Sequence, residues 1–352
     1  MRKSSCLSAV LTAVAFLGAA VLGAAPARAD AMQDCLAKKV AAADDKATVH
    51  ELREACAREI GKPTASAAAQ PQLQAQAQSQ PLSLTRQRAE DERRTETNPF
   101  VLSAYKQNYI LPYTYVSQQN PIYSSPAVNE PWLEDHNEAE FQVSLRIPIS
   151  PRNLFVQGDS LDVGFTMLSF WQVYNSYSAP FRETNYEPEI FYAAPLDFRP
   201  LGGYLDVRTG VEHQSNGQSD ALSRSWNRFY AQLIFSKDNY QIALRPWYRF
   251  NESEKASPQA SAGDDNPDIT TYMGYFDLTG AVKFKDVEFT GLVRDNLHST
   301  NNYGAIQLGM SFPLFGRVRG YAQYFNGYGE SMIDYNHHIE RIGIGFLFTD
   351  IL

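Results

Sequence analysis

The segment Tyr204–Asn227, YLDVRTGVEHQSNGQSDALSRSWN, brings together three side chains whose types suit acyl transfer: a histidine, a serine and an asparagine. A serine hydroxyl becomes a nucleophile when an imidazole takes its proton, and the imidazole works best when a third group fixes its tautomer. Read as a strand, the first half puts Leu205, Val207, Thr209, Val211 and His213 on one face, with Asp206, Arg208, Gly210 and Glu212 on the other. The returning half puts Asn227, Phe229, Ala231, Leu233 and Phe235 on one face, with Arg228, Tyr230 and Gln232 on the other. Pairing the halves about a centre near Asp220 sets His213 opposite Asn227, Val211 opposite Phe229 and Val207 opposite Leu233. That register keeps every apolar residue on one face. Residues two apart on a strand share a face at roughly 7 Å between Cα atoms, so Ser215 stands beside His213 if the strand runs that far. The pattern gives Ser215 as nucleophile, His213 as base and Asn227 as orienting group. Asparagine is neutral; it fixes the tautomer but stabilises imidazolium less than aspartate would.

A histidine near a strand end is most often a surface residue, and H-x-S alone is a weak signal. The matching asparagine across the hairpin strengthens it, because polar groups on a face that otherwise meets hydrocarbon are costly and tend to be functional. Other candidates are weaker. Asp264, Asp265 and Asp268 read as an ordinary turn, and Glu330 and Asp334 as a polar turn between strands. The His337-His338 pair lacks a third ligand, and His50, His136 and His298 carry no pattern.

The elements that must position these groups repeat with a period of two from about Asn98 onward. Phe141, Val143, Leu145, Ile147 and Ile149 alternate with Gln142, Ser144, Arg146 and Pro148. Leu161 to Met167, Val287 to Val293 and Ile306 to Leu314 alternate likewise, and Ile342, Ile344, Phe346 and Phe348 close the chain. Segments of about ten residues with one apolar and one polar or small face suit a membrane-spanning barrel, though soluble sandwiches alternate too. An export signal, tyrosines near strand ends and a chain that finishes on a strand favour the barrel. About twelve strands can be counted, and the last must pair with the first. The expected fold is all-β: a twelve-stranded antiparallel transmembrane β-barrel with a small N-terminal helical hairpin.

The N-terminus reads as a signal peptide, residues 1–29: Arg2 and Lys3, an apolar run from Leu7 to Ala25, then Ala27-Arg28-Ala29 before the cut. Removing three basic residues and no acid takes the formal charge from −8 to −11. Residues 30–61 read as a helical hairpin with a probable Cys35–Cys56 disulfide, a staple for a unit too small to hold a core. Residues 62–97, rich in Ala, Gln, Ser and Pro and then charged from Arg86 to Arg94, read as a low-complexity linker. Residues 98–352 form the barrel. The chain's 352 residues, with Tyr 20, Phe 20 and Trp 4, are too aromatic for a disordered protein, and no basic stripe marks a nucleic-acid partner.

The block His213-Gln-Ser215-Asn-Gly followed by Ser-Arg-Ser-Trp-Asn227-Arg resembles the outer-membrane phospholipase A family of Gram-negative bacteria. So do Pro180-Phe-Arg-Glu-Thr-Asn-Tyr-Glu-Pro188, Asp265-Asn-Pro-Asp-Ile-Thr270 and Gly327-Tyr-Gly-Glu-Ser-Met-Ile-Asp-Tyr-Asn336. The likeness spans most of residues 99–352. It implies an outer-membrane enzyme that hydrolyses acyl esters of phospholipids and lysophospholipids, of A1 and A2 type, needs Ca2+ and is active as a homodimer. It also implies Ser215, His213 and Asn227 in the three roles above. The catalytic calcium would take the Gln218 carbonyl and the Ser223 hydroxyl, with an oxygen from Ser178 of the partner subunit. A further calcium position would use Asp220 and Asp265; oxygen ligands alone suit this ion.

Two positions depart from the family pattern: Gln218 stands where arginine is frequent, and Met167 where a glutamine marks the dimer seam. Asp350 also interrupts the apolar C-terminal strand. The competing function is a passive porin or a silent structural barrel. Against a wide pore, twelve strands enclose a narrow lumen that inward Arg146, Arg208, Arg228, Arg245, Glu212 and Glu288 can fill with charge pairs.

Overall fold

The structure is a computed structural model. It describes residues 81–352 apart from 96–101, 126–127, 129–130, 151–152, 177–178, 258–259 and 261, together with Cys35, Lys38, Lys39, Glu51, Ala55 and Cys56. The signal segment therefore lies outside the described residues. The chain divides into two units, Met1–Gln80 and Pro81–Leu352. In the first, the described residues are helical, and Cys35 and Cys56 are disulfide-bonded with Cα atoms 5.8 Å apart.

The second unit is a closed antiparallel barrel. Its twelve strands are β1 (Asn108–Val116), β2 (Asn137–Pro148), β3 (Ser160–Trp171), β4 (Phe181–Leu196), β5 (Tyr204–Ser215), β6 (Ser225–Lys237), β7 (Tyr240–Arg249), β8 (Phe276–Phe284), β9 (Val287–Asp295), β10 (Gly304–Phe315), β11 (Val318–Tyr328) and β12 (His338–Thr349). Each pairs with its sequence neighbours, and β12 pairs with β1, Ile344 opposite Tyr113, so no edge is left open. A two-residue piece, Ser103–Ala104, pairs with β2 beyond the start of β1 and continues that strand past an irregular stretch.

Alternation sorts the side chains. Val143, Phe165, Leu233, Leu308, Ile342 and Ile344 point outward and are exposed, the band that meets lipid. Inward residues are polar and paired. Glu212 receives both Arg228 and Arg245, Lys106 meets Glu187 at 2.6 Å, and Arg294 meets Asp277 at 2.9 Å. Glu288 accepts the Ile351 and Leu352 amides, and the inward Asp350 takes Ser311 at 2.7 Å and Arg319 at 2.9 Å. Asp350 thus breaks no pattern: it belongs to the lumen.

The linker expectation over 62–97 needs correction. Leu84–Thr95 is a helix, α1. Its Arg86 pairs with Asp206 at 2.8 Å, its Glu92 with Arg146 at 2.7 Å, and its Arg88 donates to the Asp350 carbonyl at 2.5 Å. Read alone, the charges belong to a linker; in the fold they are held by inward groups at one end of the barrel. That end carries the two-residue turns after β6, β8 and β10 and is the periplasmic end in barrels of this kind. The hairpin of interest opens at the other end, where the connections are long.

Candidate active site

The register of β5 with β6 sets His213 opposite Asn227, Gln214 opposite Trp226 and Ser215 opposite Ser225, and pairs Val211 with Phe229 and Val207 with Leu233. The inward side locks this pairing. Trp226 is fully buried, donates to Gln214 Oε1 at 2.7 Å and lies under the Arg228 guanidinium, 3.9 Å from its ring centre. Alternation then forces His213, Ser215 and Asn227 to the outer face, at the upper limit of an apolar stripe that includes Val211 and Phe229. His213 Nδ1 lies 2.9 Å from Asn227 Oδ1, and Asn227 Nδ2 donates to Glu252 Oε1 at 2.9 Å.

The loop after Ser215 is pinned by Asn216, which is buried. Its Oδ1 accepts the Arg224 amide at 2.9 Å and the Gln218 amide at 3.3 Å; its Nδ2 donates to the Leu222 carbonyl at 2.8 Å and to Glu183 at 3.2 Å. Gly217 sits at φ +64, a left-handed conformation that glycine adopts without penalty. These two residues account for the N-G of the motif.

The other motif blocks converge below this loop. Asn185 Oδ1 accepts the Met332 amide at 2.9 Å and Glu183 accepts the Ile333 amide at 3.0 Å. Arg182 bridges Glu138 at 3.0 Å and Asp334 at 2.8 Å, and Arg341 meets Glu138 at 2.7 Å and Glu330 at 2.8 Å. Glu330 and Asp334, read from sequence as a polar turn, are therefore buried members of an ion-pair network. Tyr335 donates to Asp268 at 2.6 Å, tying the same loop to the short helix α2 (Ile269–Met273).

The proposed metal ligands separate into two groups. Ser223 Oγ donates to Asp265 Oδ2 at 2.8 Å, and Ser225 Oγ lies 3.3 Å from the same oxygen. Gln218 and Asp220 lie on the loop and are exposed, Asp220 at φ +54. Ser178 lies outside the described residues. A carboxylate and a hydroxyl already in contact form an oxygen-only donor pair of the kind that fits calcium. The Lys255 ammonium pairs with Asp265 and supplies one positive charge there. His338 Nδ1 lies 3.3 Å from Gln118, and the described residues hold no cluster of three or more His, Cys, Asp or Glu suited to a metal. Met167 faces outward, opposite Val143 and Tyr186, and leaves that surface apolar. Sequence reasoning missed Glu252 and Lys255, which sit in an irregular loop with no periodic signal.

A family model described as Phospholipase A1 matches residues 85–348. The Phospholipase A1 of Klebsiella pneumoniae is 39% identical over 258 residues, 72% of this chain and 84% of that protein; the Escherichia coli K12 protein of the same name is 39% identical, over 72% and 83%. Among solved structures, outer membrane phospholipase A from E. coli has a TM-score of 0.64 at 38% identity, covering 73% of this chain and 95% of that one. The Salmonella typhi outer membrane phospholipase dimer with bound calcium has a TM-score of 0.67 at 37% identity, over 77% and 98%. A structure of the E. coli enzyme as an active-site mutant, asparagine to alanine, has a TM-score of 0.66 at 36% identity, over 77% and 98%.

Fold and likeness together define an outer-membrane β-barrel hydrolase. The chain belongs to the Phospholipase A1 family, the outer-membrane phospholipases A, and is a carboxylic ester hydrolase acting on phospholipids.

Proposed function

We propose that this enzyme cleaves the acyl esters of phospholipids and lysophospholipids, at both glycerol positions, through Ser215, His213 and Asn227, with Ca2+, and as a homodimer. The observation that carries the reading is the 2.9 Å contact of His213 Nδ1 with Asn227 Oδ1, on the lipid-facing side of the barrel beside Ser215. A site on the outside suits a substrate that is the bilayer itself.

With Nδ1 held by Asn227, Nε2 is the nitrogen left for the serine. Ser215 Oγ attacks the ester carbonyl carbon while His213 Nε2 takes the hydroxyl proton. As the tetrahedral adduct collapses, the same nitrogen gives that proton to the departing glycerol oxygen. Water then attacks the acyl-enzyme with His213 again as base, releasing the fatty acid and restoring Ser215. Asn227 moves no proton; it holds the ring. A backbone N–H donates to the ester oxygen as negative charge grows there. Calcium, held by the Gln218 carbonyl and the Ser223 hydroxyl with Ser178 of the partner subunit, would supply positive charge toward that oxygen. Asp220 and Asp265 would hold a further ion. The calcium-bound dimer of the Salmonella relative supports calcium and a dimer, and the asparagine active-site mutant of the E. coli relative supports an asparagine in the active site.

The test is an assay of the refolded protein on mixed phospholipid micelles, wild type against Ser215→Ala. Turnover by wild type alone is the expected result. Equal turnover by both would remove Ser215 as nucleophile.

A further inference from the structure

We infer that Glu252 is a positioning residue for the active site: its carboxylate selects the amide orientation of Asn227 and thereby the tautomer of His213. The inference rests on the triad proposed above. An asparagine amide has one accepting and one donating end, similar in shape, and a 180° flip exchanges them. Only one orientation serves the mechanism. If Nδ2 faced the imidazole, it would need an acceptor at His213 Nδ1. The ring proton would then move to Nε2, where the base must be empty.

Glu252 removes the ambiguity. A carboxylate accepts and does not donate, so the amide end 2.9 Å from Glu252 Oε1 must be Nδ2. Oδ1 is then the end at 2.9 Å from His213 Nδ1, and Nδ1 must carry the proton. Nε2 is left with a free lone pair, the form a base for Ser215 requires. The choice of one acceptor, three groups away from the nucleophile, thus fixes which nitrogen is basic.

The backbone holds Glu252 in place from both sides. The Phe250 amide donates to the Asn227 carbonyl at 2.9 Å, carrying the end of β7 along β6. The Asp264 amide donates to the Ser253 carbonyl at 2.7 Å, and the Glu254 and Asp264 backbones pair in an isolated parallel β-bridge. The carboxylate therefore sits on a loop stitched to the asparagine's own strand. Its charge also predicts the response to a familiar improvement. Asn227→Asp would ordinarily better stabilise an imidazolium, but here it sets two carboxylates against each other.

The experiment measures kcat and KM on phospholipid micelles for Glu252→Ala, Glu252→Gln, Asn227→Asp and the double variant Asn227→Asp/Glu252→Gln. Heat-modifiable electrophoretic mobility confirms the barrel in each. Glu252→Ala should lower kcat about tenfold with KM unchanged, less than the roughly hundredfold that a misplacement of about 1 Å can cost, because the asparagine still holds the ring part of the time. Glu252→Gln, whose amide oxygen can still accept, should lose less. In the Asn227→Asp background the sign reverses: adding Glu252→Gln should raise kcat. Nitrogen-15 spectra of labelled histidine in detergent should show His213 protonated at Nδ1 in wild type and a mixture of tautomers in Glu252→Ala. Wild-type kcat in Glu252→Ala, or an equal loss from Glu252→Gln in both backgrounds, overturns the inference while a silent Ser215→Ala leaves the triad standing. Turnover by Ser215→Ala overturns the triad and this inference with it.

Discussion

The inside and the outside of this barrel use polar residues in opposite ways. Inside, charge is dense and paired. Glu138, Arg182, Asp334 and Arg341 are each at most 3% exposed and bridge one another, and Glu212 serves two arginines. Outside, charge is nearly absent along the strands. Among the polar groups there, His213, Ser215 and Asn227 stand above Val211 and Phe229, and His213 and Asn227 join Glu252 through one hydrogen-bonded chain. A crowd of ionisable groups therefore marks structure in this molecule. A small polar set on an apolar background marks the site.

That contrast predicts two separable phenotypes. Ser215→Ala should lower kcat by at least about a thousandfold while leaving heat-modifiable mobility intact, and His213→Ala should do the same. Arg341→Ala should do the reverse. Removing one member of a buried pair costs on the order of 3–5 kcal/mol, so refolding yield and melting temperature should fall while kcat per folded molecule stays near wild type. The contrast breaks if Arg341→Ala silences turnover at an unchanged melting temperature.

Chelation comes next in size. The proposed calcium site takes oxygens from two chains; a metal held that way binds the dimer better than the monomer and favours association by linkage. Chelator should lower both turnover and dimer fraction, followed together by activity and cross-linking. Ser223→Ala should raise the calcium concentration needed for half-maximal turnover. Full turnover by a calcium-free monomer would sink the linkage even with Ser215 as nucleophile. Asn227→Ala should be milder than Ser215→Ala, because it loses orientation and not a reacting group. A loss as severe as that of Ser215→Ala in folded protein would mean the asparagine does more than hold the ring.

The outer face was the more legible of the two in sequence. Its alternation leaves one register that keeps Val211, Phe229, Val207 and Leu233 together, and that register alone sets His213 against Asn227. Closure of β12 on β1 follows from the need to leave no edge. The interior was harder to read because its order is set by partners distant in sequence. Arg86 to Arg94 read as part of a linker because Asp206 and Arg146, which meet it, lie elsewhere in the chain. Glu330 and Asp334 looked like a turn because Arg341 and Arg182 are not their neighbours in sequence. Glu252 was invisible for the same reason: 25 residues separate it from Asn227, and its loop has no period to place it.

The smallest effect expected is on the interior's response to acid, and it tests whether those buried charges act on stability alone. Asp334 lies on the loop between β11 and β12, fully buried, and accepts Ser331 at 2.6 Å, Arg182 at 2.8 Å and Asn120 at 3.0 Å. Burial by itself would raise its carboxyl, but the Arg182 charge and these hydrogen bonds outweigh burial and hold it below the ordinary aspartate value. A group whose folded pKa is depressed contributes stability that is present above its unfolded value of about 3.9 and lost as pH falls through the lower folded value. The melting temperature of the wild-type barrel should therefore decline below about pH 4, and Asp334→Asn, which has no proton to take up, should flatten part of that decline from a lower starting point. Between pH 6 and 8 the aspartate stays ionised, so kcat of folded Asp334→Asn should follow the wild-type pH profile. A shifted profile in that window would show that the interior network reaches the chemistry, and the division between the two faces would have to be given up.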